Sequence, residues 1–329
     1  MDPLSQAVLG ASLSQAATND KTKQLSALVI GALAGMAPDL DFLIHSADDP
    51  LLFLEFHRQF THSLFFIPFG ALICTLIFFP FAKRKLSFSQ IYLFSFLGFA
   101  THGLLDACTS YGTQLYWPFS NERIAWNVVS IIDPFFTIPI FILIAIAALR
   151  HKVRYARIAI SYAVIFLALG LVQKERAEDV AYQLAQQRGH VIERIHVKPS
   201  FANRHLWKIV YEHNGRYYVD AVKLLWDTTI YQGNSVLKLN IKRDYPLIMH
   251  KSQQMKDIER FRWFSNDFVA VNPENLNVIT DIRYSFIPNQ IKLMWGIELN
   301  AKTPNKHVKF ITNSRPTEST TKQFLNLLF

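Results

Sequence analysis

Five stretches of the chain are almost unbroken in apolar residues: 25–44, 63–82, 86–106, 131–149 and 158–173. Each approaches the ~20 residues that a helix needs to cross the hydrocarbon of a bilayer, the last being the shortest. In lipid every backbone N–H and C=O must bond within its own segment, so helix is the state these runs predict. Residues 1–17 are apolar but shorter, and Asp2 stands where a signal peptide would carry Lys or Arg. That opening predicts an interfacial or re-entrant helix and not a cleaved leader. Beyond residue 173 the pattern changes to short alternating runs. Residues 206–211 and 216–222 flank Asn214-Gly215, the signature of a tight hairpin. Further strands are expected at 236–241, 268–271, 278–286 and 291–299. A helix is expected at 180–188, continuing the fifth apolar run, and another at 249–264, where Met255, Ile258, Phe261 and Phe264 recur at helical spacing. On this helix Arg260, Arg262 and Trp263 read as structured surface. The predicted fold is an α-helical transmembrane bundle of about five spans with a short N-terminal interfacial helix (1–173), followed by an α+β extramembrane domain (174–329).

Charge sharpens this division. Residues 1–173 hold 11 Lys or Arg and 10 Asp or Glu, against 23 and 15 in residues 174–329. A net charge of +9 would suit nucleic acid, but the cations of the first half sit where a membrane protein puts them. Lys21 and Lys23 precede the first span, Lys83-Arg84-Lys85 separate the second and third, and Arg150, Lys152, Arg154 and Arg157 separate the fourth and fifth. Five crossings place all three tracts on one side, which the positive-inside rule makes cytoplasmic. The extramembrane domain is then extracytoplasmic; with four crossings it would be cytoplasmic. Its basic excess suits anionic lipid headgroups. The two cysteines, Cys74 and Cys108, make no disulfide framework or CxxC motif, and Cys74 reads as a small buried hydrophobe.

Ionisable residues cluster where apolar runs end: Pro38-Asp39-Leu40-Asp41, His57-Arg58-Gln59-Phe60-Thr61-His62-Ser63 and Thr101-His102-Gly103-Leu104-Leu105-Asp106. At membrane depth an uncompensated carboxylate costs ~2.5–3.5 kcal/mol, so such residues pair, face a cavity or bind a cation. The topology brings all three clusters to the outer side. His102 and Asp106 share a helical face. Pro38 would kink or end the first span and turn Asp39 and Asp41 outward, while Thr61 or Ser63 could cap the second. Asp39, Asp41, His57, His62, His102 and Asp106 are therefore the candidate metal ligands. A mixed N/O set without thiolates suits zinc, manganese or iron, with zinc or manganese favoured, and disfavours a structural zinc site. Room for two metals would fit phosphoester hydrolysis. Asp39, Arg58 and Asp106 are the candidate catalytic residues: a carboxylate as general base, and Arg58 to hold an anionic oxygen or, more blandly, to snorkel. His45 is a weaker ligand candidate. Asp133 is a ligand or supporting candidate, and the hydroxyls of Thr109, Ser110, Tyr111 and Thr113 could orient substrate. The aromatic residues of 107–120 also fit an interfacial belt, and Gly31 with Gly35 fits close helix packing.

The segments MDPLSQAVLGA, PDLD, HRQFTHS, THGLLD and TSYGTQLYWPFS, in this order, resemble the YdjM-type family of membrane-bound, metal-dependent hydrolases. FRWFSNDF and RYSF resemble its longer members. Many members have His where this chain has Gln6. The resemblance implies a bacterial inner-membrane protein, metal dependence and hydrolysis, and it supplies no substrate. Arg58 and the depth of the site suit an amphiphile, which favours an ester of a phosphoester or lipid-linked kind. Two other functions compete. One is a non-enzymatic envelope or stress protein with a structural metal. The other is a metal-free lipid phosphatase, whose Ser-Gly-His and Lys-x₆-Arg-Pro motifs are missing. No P-loop, GxSxG, HExxH or repeat occurs, and polar residues at one end of the spans do not suit a transporter.

Overall fold

The computed structural model describes every residue except Leu247, Met249, His250 and Ser314. The chain forms two compact units. The first comprises Met1–Ile44, Phe56–Val172 and Phe201–Asn203; the second comprises His45–Glu55, Gln173–Ser200 and Arg204–Phe329.

The first unit is helical. Helix α1 (Pro3–Ala16) starts at Asp2, whose carboxylate accepts the Ser5 N–H, with Pro3 at the first position, where its missing N–H costs nothing. Helix α2 (Gln24–Met36) does not stop at Pro38 but tightens into a 3₁₀ stretch, Ala37–Leu43. After α3 (Leu52–Phe56), of which all but Phe56 belongs to the second unit, Ser63 caps the turn that leads into α4 (Ile67–Ala82). Helix α5 (Phe88–Ala107) opens with a capping box between Ser87 and Gln90. Asp133 caps α6 (Pro134–Arg150), and α7 (Arg154–Gln187) runs 34 residues without a break.

Among the described residues, four helical segments are long and apolar enough to cross a membrane: Lys21–Leu43, Leu64–Ala82, Phe88–Ala107 and Arg154–Gln187. The fourth expected span, 131–149, is met by Pro134–Arg150, which is apolar but has only 17 residues. Helix α1 packs against α2, α5 and α6, with Gln6, Val8, Ala11, Ser14 and Gln15 buried. Gly10, Gly31, Gly35 and Gly98 make the crossing of α1, α2 and α5 possible; a Cβ on Gly10 would lie 3.1 Å from Gly35 Cα and 3.3 Å from Gly98 Cα. The predicted Gly31/Gly35 pair thus serves two neighbours at once. Val8, Ala11, Leu105, Val129, Phe136 and Ile140 share one apolar core, while Phe69, Leu72, Ile73, Leu76 and Ile77 of α4 face outward, as lipid-facing positions do. His151 Nδ1 lies 3.0 Å from the Lys21 carbonyl and Arg157 bonds Asn19 Oδ1, so two basic tracts meet at one end of the bundle.

The second unit carries two antiparallel sheets. The first has β1 (Arg194–Pro199), β2 (Leu206–His213), β3 (Arg216–Leu224) and β4 (Thr228–Tyr231) in that order, with β5 (Ser235–Leu237) also on β3. His213 pairs with Arg216, and the intervening Asn214 and Gly215 have φ of 49° and 66°. The two positive values are those of a type I′ turn, as Asn-Gly predicts. The second sheet is β6 (Val269–Asn272), β7 (Asn275–Asp281), β8 (Trp295–Glu298) and β9 (Lys309–Thr312). The expected strand at 236–241 ends early: Asn240 instead caps a short helix, α8 (Ile241–Asp244). The expected helix at 249–264 is α9 (Gln253–Phe264), capped by Ser252; Met249 lies outside the described residues. Helix α10 (Glu318–Leu328) and strands β1, β4 and β9 add to the expected elements. Ala177, Val180, Ala181 and Ala185 of α7 pack on Trp207, Ile209 and Tyr211 of β2. Arg260 of α9 binds Asp49 through both carboxylate oxygens (2.9 and 2.8 Å) and also Glu55, which explains its presence beyond a generic surface.

Candidate metal centre

The 3₁₀ stretch after α2 decides how the PDLD segment works. At three residues per turn, positions two apart diverge by about 120°, so Asp39 and Asp41 face different neighbours. Asp39 Oδ1 lies 3.5 Å from His62 Nε2 and 3.4 Å from His102 Nε2. Asp106, one turn after His102 on α5, brings Oδ2 to 3.2 Å from His62 Nε2 and 3.7 Å from His102 Nε2. The two Nε2 atoms are 2.9 Å apart. One donor atom from each of Asp39, His62, His102 and Asp106 lies within 4.8 Å of all the others. A tetrahedral ion with ligands at about 2.0–2.1 Å requires donors about 3.3–3.4 Å apart. The observed spacings bracket that value.

Hydrogen bonds fix which ring nitrogen faces the cluster. His102 Nδ1 is 2.6 Å from the Gly35 carbonyl, which can only accept, so Nδ1 carries the proton. His62 Nδ1 faces Asp41 Oδ2 at 3.2 Å and Thr61 Oγ at 3.0 Å. Neutral rings held in this way turn both Nε2 lone pairs toward each other, which requires a proton or a cation between them. Two carboxylate oxygens on the same point favour a divalent cation. Asp106 Oδ2 is buried and receives no aligned hydrogen bond; Arg58 Nε lies 3.0 Å away with its N–H directed off the line. Asp106 Oδ1, by contrast, accepts from Gln6 Nε2 (2.9 Å) and pairs with the Met1 amine. The donor set therefore fits a metal ion. Asp39 is its only partly open member, its side chain 21% exposed against 0% for the other three.

Asp41 and His57 stand outside the group of four. Asp41 Oδ2 accepts from the Arg58 N–H (2.9 Å) and Thr61 Oγ (2.7 Å) as well as facing His62, while Oδ1 lies 2.7 Å from His57 Nδ1. Its lone pairs are occupied by the segment 57–62, which it folds around itself. Arg58 adopts the left-handed conformation (φ 65°), normally unfavourable by about 1–2 kcal/mol for a side-chain-bearing residue. Its N–H to Asp41 and its carbonyl, which accepts from the Gln114 N–H, hold it there. The guanidinium is buried, donates to Thr109 Oγ at 3.1 Å and lies 4.8 Å from the Tyr111 ring centre. Asp133 serves as the α6 cap through Oδ1, and His45 is exposed and outside the cluster. Gly103 is the unforeseen participant: a Cβ there would collide with the His62 carbonyl oxygen. Its position inside the THGLLD motif is the signal that could have marked it.

Sequence comparison gives this arrangement a family. The model of the YdjM inner membrane protein family matches residues 1–177, more than half of the chain. The chain belongs to that family. All four donors and the segment 57–62 fall within the YdjM match. Among curated proteins, YfhP of Bacillus subtilis (strain 168), named as uncharacterized, is 31% identical over 152 residues, covering 44% of this chain and 46% of YfhP. The inner membrane protein YbcI of Escherichia coli (strain K12) is 32% identical over 110 residues, 32% of this chain and 61% of YbcI. The chain thus spans about half to three-fifths of these relatives. No solved structure matches it significantly.

Proposed function

We propose that this YdjM-family protein is a membrane-bound, metal-dependent hydrolase whose centre is held by Asp39, His62, His102 and Asp106. The observation that carries the reading is the pair of facing Nε2 atoms joined by two carboxylates within 4.8 Å. These residues would hold a divalent ion, which when bound would supply Lewis acidity toward an ester and lower the pKa of water. Asp41 and His57 position His62 rather than adding donors. Arg58 balances the charge of Asp106 from the protein side. Asp39 is the accessible carboxylate; with Oδ1 given to the ion, its other oxygen would be the group left to accept a proton from water. The exposed Leu40, Phe42 and Leu43 on the same 3₁₀ stretch form an apolar rim, which supports an amphiphilic, lipid-linked ester, a phosphoester in particular. Five crossings, with α6 as a short one, would put this centre and the C-terminal domain on the extracytoplasmic side of the inner membrane; the meeting of Lys21 with His151 and Asn19 with Arg157 at one end supports that arrangement.

A structural metal site is the second reading, because three of the four donors are fully buried. Detergent-purified protein, loaded in turn with zinc and manganese, separates the two on a panel of phospholipids and lipid phosphates. Turnover abolished by chelator and by Asp39→Asn supports the hydrolase. Metal-dependent thermal stability without any turnover selects the structural role.

A further inference from the structure

The turn between β3 and β4 exposes the residue that is costliest to leave in water. Leu224 pairs with Thr228, so the turn is Leu225-Trp226-Asp227. Trp226 is 100% exposed and Leu225 44%. The tip is nevertheless anchored. Gln173 Nε2 donates to the carbonyls of Leu224 (3.3 Å) and Arg204 (3.4 Å). Arg176 donates to the Leu225 carbonyl (3.2 Å) through one nitrogen and to Gln173 Oε1 (2.6 Å) through the other. All of these residues lie in the second unit.

Gln173 also marks a boundary on α7. The residues between Arg157 and Lys174 carry no charge, and they are the apolar part of a helix long enough to cross a membrane. That stretch of 158–173 rises about 24 Å, less than the ~30 Å of bilayer hydrocarbon. A span shorter than the hydrocarbon draws its flanking residues into the interface and lets their cations snorkel. The level of Gln173 is therefore the headgroup level, and the hydrogen bonds above hold the Trp226 tip at that level. Lys174, Arg176, Arg204 and Lys223 lie next to these anchors in sequence or are the anchors themselves; against Asp227 and Glu175, and with Lys174 paired to Glu178, the cations around the tip still outnumber the carboxylates, which suits anionic headgroups.

We propose that the Leu225-Trp226 turn is a membrane-contacting element that seats in the lipid headgroup region where α7 leaves the bilayer. Tryptophan suits this position because its ring is apolar while its indole N–H still finds water or a phosphate. Trp226 thereby gives the C-terminal domain a second attachment to the bilayer besides α7. This inference does not depend on the metal centre.

The test uses the full chain in nanodiscs of mixed phosphatidylcholine and phosphatidylglycerol, with ordinary or acyl-brominated phosphatidylcholine. Trp226→Phe serves as the subtraction control, because a fully exposed side chain can change to Phe without disturbing the fold. The Trp226 component of emission, wild type minus variant, should lie to the blue and lose most of its intensity in brominated discs. A component quenched by aqueous iodide and untouched by brominated lipid would place Trp226 in water and overturn the proposal. A component quenched by neither would mean protein cover, such as a second copy, and would overturn it equally.

Discussion

Replacing Asp41 by Asn tests whether a residue that touches no metal nevertheless sets its affinity. Asp41 Oδ2 receives the Arg58 N–H, Thr61 Oγ and the His62 Nδ1 side, and Oδ1 faces His57. The cheapest placement of the amide puts its NH₂ toward His57, whose ring can change tautomer and accept. Even then the three interactions at the other oxygen lose their ionic partner. Hydrogen bonds to a charged group contribute about 1.5–3 kcal/mol and neutral ones about 0.5–1.5. The segment 57–62 therefore loses roughly 3 kcal/mol of support across the three. Part of that is spent on loosening the His62 ring, and outer partners of a ligating histidine typically change metal affinity about 10–100-fold, or about 1.4–2.7 kcal/mol. Competition against a chromophoric chelator in detergent measures the shift. Asp41→Asn should weaken binding within that range, and His57→Ala far less, because His57 meets Asp41 at the oxygen remote from His62. An Asp41→Asn affinity equal to wild type would refute the positioning argument. A loss as complete as that of His62→Ala would make Asp41 a ligand instead.

Gly103→Ala should cost metal affinity at least as much as Asp41→Asn while leaving the helical circular dichroism unchanged, since the new Cβ displaces the His62 backbone and removes no donor. Arg260→Gln leaves Asp49, Glu55 and Asp257 without their shared cation; with Arg260 partly exposed, this should destabilise by about 1–3 kcal/mol and make His45–Glu55 the first site of limited proteolysis. His196 is buried, its Nε2 without a hydrogen-bond partner among the described residues, and burial, followed by the nearby Arg283 and Lys198, holds its pKa well below the ordinary histidine value. The folded ring stays neutral while the unfolded one takes a proton, so its contribution is present above about pH 6.5 and is lost as pH falls, by up to about 1.4 kcal/mol per unit. A melting temperature that falls less steeply between pH 7 and pH 5 in His196→Gln than in wild type checks this.

Four of the five apolar runs coincide with helices long and apolar enough to cross a membrane, because bilayer thickness leaves few alternatives to a long apolar helix. The burial of α1 was less legible. Gln6, Ser14 and Gln15 look too polar for a bundle interior, yet they bond to backbone carbonyls of the neighbours: Ser14 Oγ to Phe94 O and Gln15 Nε2 to Ile144 O. No sequence periodicity reveals such a carbonyl. In the second unit, Asn214-Gly215 announced its hairpin because few turns tolerate two positive φ values in succession. Strand β4 escaped notice because it has four residues, all at least partly exposed, and no alternation to read. The strand expected at 278–286 stops at Asp281, where the Arg283 N–H and guanidinium fold back onto the Asp281 carboxylate. At the candidate centre, the i, i+4 spacing of His102 and Asp106 was enough to pair them. The division of labour between Asp39 and Asp41 was not legible, because it depends on the helix tightening at Pro38 instead of ending there.

The most direct measurement is metal content by elemental analysis of detergent-purified protein, wild type beside His62→Ala, His102→Ala and Asp106→Asn. The account predicts a stoichiometric transition-metal ion in the wild type, lost in each variant and restored to the wild type after chelation by adding zinc or manganese. A wild type that holds no metal after reloading, or variants that keep it, would contradict the account.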